Sequence, residues 1–127
     1  MVGPHIAASR KGLDAIVKLL LFHTDTAINS QTGGGRTALF AASQNGHEAV
    51  VKLLLSRTDI AVNTQTGGGL TALFAASQNG HEAVVRFLLS HKDIDVNTQT
   101  EHGLTALIAA SLNGHDVVVN LFLSHKR

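Results

Sequence analysis

The sequence contains no cysteine, tryptophan or tyrosine, and only one proline among 127 residues. Without cysteine, neither a disulfide framework nor a thiolate metal site can form. Phenylalanine occurs only five times, so the hydrophobic fraction of 44% depends mainly on alanine, valine and leucine. A core of such side chains is typical of elements that pack closely together.

An excess of charge of one sign is also missing. Ten lysines and arginines stand against nine aspartates and glutamates, and the formal net charge is +1. The charges are scattered, with no basic run beyond short pairs such as Arg10 and Lys11. A polyphosphate partner requires a stripe of positive charge, so we expect no nucleic-acid partner.

Long hydrophobic runs are missing as well. Apolar runs such as residues 19–22 are far shorter than the roughly 20 residues of a membrane-spanning helix. Residues 1–5 lack the basic segment and apolar core of a signal peptide. We therefore expect an intracellular, cytoplasmic protein that does not contact a membrane.

What the sequence does contain is a repeat of 34 residues, since residues 29–62 and 63–96 differ at only seven positions. Fixed spacing of this kind is typical of stacked supersecondary units, each too small to bury its own apolar face. Such an architecture favours binding over catalysis. The repeat predicts one domain of four units, at about residues 2–35, 36–69, 70–103 and 104–127.

Within one unit the pattern predicts two helices. Residues 37–44 form a short helical pattern in which Thr37 suits the N-cap, and Gly46 suits a left-handed conformation after the helix end. A second helix, over about residues 47–56, is apolar on more than one side, as expected for a helix packed on both flanks. Alternating residues and a glycine cluster then predict a hairpin-like finger. The predicted fold class is an all-α repeat, an α-solenoid of helix-turn-helix units joined by finger loops.

This unit resembles the ankyrin repeat. The family signature of Thr-Pro-Leu-His followed by Ala-Ala is similar to residues 37–42. The family's Gly-His pair matches Gly46 and His47, and its Val-Val-x-Leu-Leu-Leu matches residues 50–55. The matches recur in the later units. The resemblance implies a non-enzymatic scaffold that binds another protein through its finger tips and its concave side.

Three features depart from the family pattern. The period is 34 residues instead of about 33, and the Asp-Ile-Asp-Val-Asn form of residues 93–97 resembles arrays common in fungal ankyrin proteins. Alanine replaces the signature proline, which costs little because proline at the first helical turn is favourable but not required. The signature histidine becomes Phe40, Phe74 and Ile108, and we expect packing to replace its hydrogen bonds.

The first unit is degenerate. His5 and Leu13 stand where the family has leucine and the histidine of the Gly-His pair. No polar terminal unit follows the last helix, so we expect the chain to be part of a longer array. Tetratricopeptide repeats also have a 34-residue period, but the glycines at 33–35 and 46 leave no room for their longer helices.

Eight histidines raise the question of a metal or acid–base site. His47, His81 and His115 lie one repeat apart, and stacked helices are roughly 8–10 Å apart, too far to share zinc bonds of about 2 Å. We expect each to pack or bond near the start of its own helix. The triple glycines lack the lysine and hydroxyl residue of a phosphate-binding loop. The sequence therefore predicts no catalytic, metal-binding or cofactor-binding residue, and no cofactor.

The resemblance implies partner contacts at the finger tips and the exposed side of each first helix. The fourth unit and the finger before it are distinctive there, since Glu101 and His102 replace finger glycines. Leu104 and Leu112 of this unit would form an apolar patch on the concave side together with Leu70 of the third unit. The candidate partner-binding residues are Arg36, Gln44, Leu70, Gln78, Glu101, His102, Leu104 and Leu112.

Two functions fit this sequence. The first is a protein–protein interaction scaffold that serves as the recognition segment of a larger intracellular sensor or signalling protein. The second is a structural array, either a spacer or a repeat idealised by design. Such an array would be a monomer or associate weakly through its end faces.

Overall fold

The structure, a computed structural model, describes residues 28–125. These residues contain six helices and no strand, and the helices form three pairs spaced 34 residues apart. The predicted all-α repeat is confirmed, whereas most of the first predicted unit, about residues 2–35, lies outside the described residues. The helices are α1 (Ala38–Gln44), α2 (Glu48–Leu55), α3 (Ala72–Gln78), α4 (Glu82–Leu89), α5 (Ala106–Leu112) and α6 (Asp116–Ser124).

Each first helix begins where the sequence predicts. Thr37 has an extended backbone, and its side-chain oxygen accepts a hydrogen bond from the Phe40 N–H at 3.1 Å. The equivalent threonines of the other two pairs do the same. Gly46 has a φ of 73°, so the predicted left-handed turn is confirmed, and α2 begins directly after His47.

The pairs stack side by side, with first helices packed on first helices and second helices on second helices. From α2, Val50, Val51 and Leu54 enter the core, each with at most 2% of its surface exposed. Burial of each such side chain contributes about 1.5–3 kcal/mol. The helix α4 contacts both α2 and α6, and its Val84, Val85 and Leu88 are 0% exposed, so a second helix inside the stack is packed on both flanks as predicted.

Packing replaces the signature histidine wherever a following pair covers its position. Phe40 and Phe74 are 2% and 4% exposed. Ile108, at the same position of the last pair, is 40% exposed, because no further pair covers α5 within the described residues. The expectation that packing replaces the hydrogen bonds of the signature histidine is therefore confirmed for both phenylalanines and wrong for the exposed Ile108.

The fingers are tight turns. In the second finger the Thr66 N–H donates to the Leu70 carbonyl at 2.9 Å, and the Leu70 N–H donates to Thr66 Oγ1 at 3.2 Å. The Gly67 N–H donates to the Gly34 carbonyl of the preceding finger at 3.0 Å. The predicted hairpin-like finger is present as a turn, but the alternating residues before it form no strand in the described part of the chain.

A histidine latch joins each pair to the next. Nε2 of His81 lies 2.9 Å from the carbonyl oxygen of Gln44 in the preceding pair, and since a carbonyl only accepts, Nε2 carries the proton. A Cβ added to Gly46 would lie 2.7 Å from Nδ1 of His81, and His115 approaches Gly80 in the same way. The histidine therefore bonds to the neighbouring pair, contrary to the expectation of a contact near its own helix.

Asparagine and glutamine side chains provide further amide links between units. The Asn63 amide donates to the Asp93 carbonyl at 2.8 Å and accepts from the Asp95 N–H at 2.9 Å. Asn29 makes the same two kinds of bond one repeat earlier, and Gln65 joins its own finger to the next one. These directional bonds fix the register in which the apolar surfaces meet.

Gly46→Ala is expected to destabilise the protein more than Gly114→Ala. The two glycines have nearly the same left-handed φ, 73° and 72°, so alanine costs about 1–2 kcal/mol of backbone strain at each. Only Gly46 faces a histidine ring, whereas nothing lies within 4 Å of a Cβ built on Gly114. Urea denaturation should show an additional loss of about 1–3 kcal/mol for Gly46→Ala. Equal losses would contradict the latch.

Candidate functional site

The candidate residues fall into two rows and one finger tip. The rows lie at opposite ends of the first helices, each of seven residues, and are thus separated by about 10 Å. The first row directly precedes each N-cap threonine and comprises Arg36, Leu70 and Leu104. The second row ends each first helix and comprises Gln44, Gln78 and Leu112. The tip consists of Glu101 and His102.

Arg36 is held at the base of the first described finger. Its N–H donates to Thr32 Oγ1 at 3.3 Å, and its carbonyl accepts from the Thr32 N–H at 2.9 Å. The guanidinium carbon lies 5.8 Å from the centroid of the Phe40 ring, within range of a cation–π interaction. No carboxylate of the described residues forms an ion pair with it, so its positive charge is exposed above an aromatic ring.

Arg36 borders a cleft between two adjacent fingers, which we call the finger cleft. The cleft has a volume of about 390 Å³ and is formed by the turns that contain Thr32 and Thr66 together with Arg36, Phe40 and Leu70. Two candidate residues, Arg36 and Leu70, are thus brought together across one concave space. It offers a cation, an apolar wall and turn backbone, a combination suited to binding.

The third finger has a polar, charged tip where the other two have glycine. The Glu101 N–H donates to the Gly68 carbonyl at 3.1 Å, which continues the finger-to-finger link. The Glu101 carboxylate lies 3.5 Å from Nε2 of His102, and the two side chains are 61% and 81% exposed. Both side chains are therefore open to a partner at the tip.

The three candidate leucines do not form one exposed patch. Leu70 and Leu104 are half-buried and pack against the core. Leu112 is 72% exposed and lies at the far end of α5 from Leu104. The predicted apolar patch is therefore reduced to Leu112 and the exposed edges of the other two.

The glutamines of the second row take part in stacking through their backbones. The Gln44 carbonyl accepts hydrogen bonds from Asn79 Nδ2 at 3.1 Å and from the latch histidine. The Gln78 carbonyl accepts the equivalent pair one repeat later. The latch thus fixes the backbone from which these two glutamine side chains project.

The described residues contain no cluster of three or more histidine, aspartate or glutamate side chains arranged to hold a metal ion. Ser43 and Ser77, which recur with the repeat, are fully buried and their hydroxyls have no hydrogen-bond partner. A substrate could not reach either hydroxyl. Across residues 28–125, no helix is both long enough and apolar enough to span a bilayer.

Sequence reasoning does not identify two parts of this site. It assigns Phe40 only to packing, although the ring also lies beneath Arg36. It overlooks Thr32, whose hydroxyl and backbone hold Arg36 in place. The recurrence of a threonine before each finger tip, at 32, 66 and 100, is the pattern from which the role of Thr32 could have been inferred.

A comparison with protein-family models finds a match to the family described as ankyrin repeats in three copies. The match covers residues 5–100 and 58–127, which together span nearly the whole chain. A search of curated proteins finds no match. The paired short helices, the Gly-His turns and the linked fingers agree with the family match. The protein therefore belongs to the ankyrin repeat family.

Proposed function

We propose that the protein binds another protein through its finger face, defined as the finger cleft, the tip at Glu101 and His102, and Leu112. Ankyrin repeats generally mediate protein–protein interaction and are typically non-enzymatic modules. The observation that carries the proposal is Leu112. It is 72% exposed in a row where the two preceding pairs have glutamine, so the α5–α6 pair presents an apolar contact where the other two present a polar one.

In this proposal the chain is the recognition segment of a larger intracellular sensor or signalling protein. Support comes from the division between residues that stack the helix pairs and residues that face solvent. The small side chains and the histidine latch serve stacking, whereas the side chains of the finger face extend from a rigid array. Such an array positions binding residues without a mobile loop, which lowers the entropy lost on binding.

Leu112→Gln is expected to weaken the binding of a protein partner about tenfold, because a buried leucine contributes about 1.5–3 kcal/mol. Glutamine occupies the equivalent position in both preceding pairs, so the fold should tolerate the change. A partner captured on the immobilised full chain is identified by mass spectrometry, and calorimetry with the purified partner then gives the Kd.

The matched control is Val117→Ala. Val117 is 44% exposed on α6, away from the finger face, and alanine occupies the equivalent positions of α2 and α4. This variant should bind like the wild type, and both variants should keep the wild-type melting temperature. A Leu112→Gln variant that binds as tightly as the control refutes the proposal.

A second candidate function is self-association through the face that the α5–α6 pair leaves open. Ile108 and Leu123 are 40% and 67% exposed. Phe74 and Leu89, at the equivalent positions one pair earlier, are 4% and 7% exposed. Nothing lies within 4 Å of a Cβ built on Gly114, where the two earlier glycines receive a histidine ring. Within residues 28–125 no element covers the surface that joins interior pairs, so this apolar face can accept a second copy of the chain.

Light scattering over a concentration series tests this second candidate. The mass of the wild-type protein should rise with concentration, whereas the double variant Ile108→Asp, Leu123→Asp should remain monomeric, because burial of two carboxylates against an apolar face is unfavourable. Leu112→Gln serves as the control off this face. A wild-type mass that stays constant rejects self-association.

A further inference from the structure

We propose that the finger cleft recognises a carboxylate side chain in an extended segment of the partner, with an apolar side chain three residues further along that meets Leu70. The inference rests on the proposed function, because it names the partner chemistry at the same face. It concerns Arg36, which stands at the base of the first described finger where the next two fingers have leucine.

Arg36 is held in a fixed position at the base of its finger. Its backbone is fixed by two hydrogen bonds with Thr32, and its guanidinium lies above the Phe40 ring at 5.8 Å. No described carboxylate pairs with it. A planar guanidinium matches a carboxylate with two parallel N–H···O bonds, so the group that completes this site is an aspartate or glutamate side chain.

The finger cleft leaves space for a polypeptide backbone. Gly34 and Gly68 line the cleft beside Arg36, and nothing lies within 4 Å of a Cβ built on either glycine. A chain can therefore approach the turns closely. The Phe40 ring and Leu70 form the apolar part of the cleft, so a carboxylate bound there is partly removed from water, which strengthens its interaction with Arg36.

The spacing of the units determines which side chains of a bound segment meet Arg36, Leu70 and Leu104. Leu70 and Leu104 occupy the position of Arg36 in the next two units, and each bonds to its own finger threonine as Arg36 does. Stacked units are about 8–10 Å apart. Three residues of a polyproline II segment span about 9 Å and complete one turn, so side chains three positions apart point to the same side. The partner segment therefore carries an acid for Arg36, an apolar residue three positions away for Leu70, and another three positions further for Leu104.

The negative charge of Glu101, at the other end of the finger face, agrees with an acid bound at Arg36. The Glu101 carboxylate is exposed at the third finger tip and would repel a second acid there. The face thus has a cation at one end, leucines in the middle and a carboxylate at the other end. This polarity aligns the acidic end of the partner segment with Arg36.

The test is selection of peptides on the immobilised full chain. A displayed library of random peptides of about 12 residues is long enough to span three units. The wild type should enrich peptides that carry an acid three residues from an apolar residue. Arg36→Leu, which introduces the residue of the next two units, should remove the preference for the acid and weaken the selected peptides about tenfold.

The matched control is Arg86→Leu, which removes the same charge from the exposed face of α4 and should leave binding unchanged. The double variant Arg36→Leu, Leu70→Arg should move the preferred acid by three residues. Because Leu70 is half-buried, the melting temperature of this double variant is compared with that of the wild type first. Arg36→Glu, which changes only an exposed side chain, should instead select basic peptides and tests the charge independently of Leu70.

Two results overturn the inference. If selected peptides lose affinity in Leu112→Gln but bind Arg36→Leu and Arg36→Glu like the wild type, Arg36 does not read a carboxylate, while the proposed function stands. If the wild type enriches no peptide and Leu112→Gln leaves partner affinity unchanged, both the inference and the proposed function are refuted.

Discussion

The contact between each helix pair and the next is the interaction on which the rest of the structure depends. The helices have only seven to nine residues, whereas isolated helices shorter than about 12–15 residues are marginal in water. Phe74 is 4% exposed beneath a following pair, and Ile108 is 40% exposed without one. A single pair cannot bury its own apolar surface, so the pairs are stable only as a stack. The latch and the amide links then select one register among the apolar contacts that are possible.

This dependence explains where the units are alike and where they differ. A stacking residue must fit the unit before it and the unit after it, so a change in one copy disturbs two neighbours. None of the seven positions that distinguish residues 29–62 from 63–96 is buried in either copy. The replacement of Arg36 by Leu70 is therefore permitted by the fold, and it changes the chemistry of the finger face without changing the backbone bonds at its base.

The sequence predicts the elements that are set by interactions between neighbouring residues. It does not predict contacts between residues of different repeats. The hydroxyl of Thr37 and the left-handed turn at Gly46 follow from neighbouring residues, so both were predictable. The bond from His81 joins residues 37 positions apart, and no local pattern indicates it. The alternation before the finger favours a strand, but the Asn63 side chain takes backbone partners that a neighbouring strand would otherwise pair with. The rows of the candidate site were predictable from the repeat, whereas the burial of Leu70 was not.

The latch is tested most directly by nuclear Overhauser effects between the glycine Hα protons and the histidine rings. The account predicts cross-peaks from Gly46 to the ring of His81 and from Gly80 to the ring of His115, because each ring lies against the preceding glycine. Gly114 serves as the internal reference, since apart from its chain neighbours nothing lies within 4 Å of a Cβ built on it, and it should show no cross-peak to a histidine ring of another pair. Three glycines with indistinguishable environments, and no cross-peak at Gly46 or Gly80, would contradict the stacked arrangement.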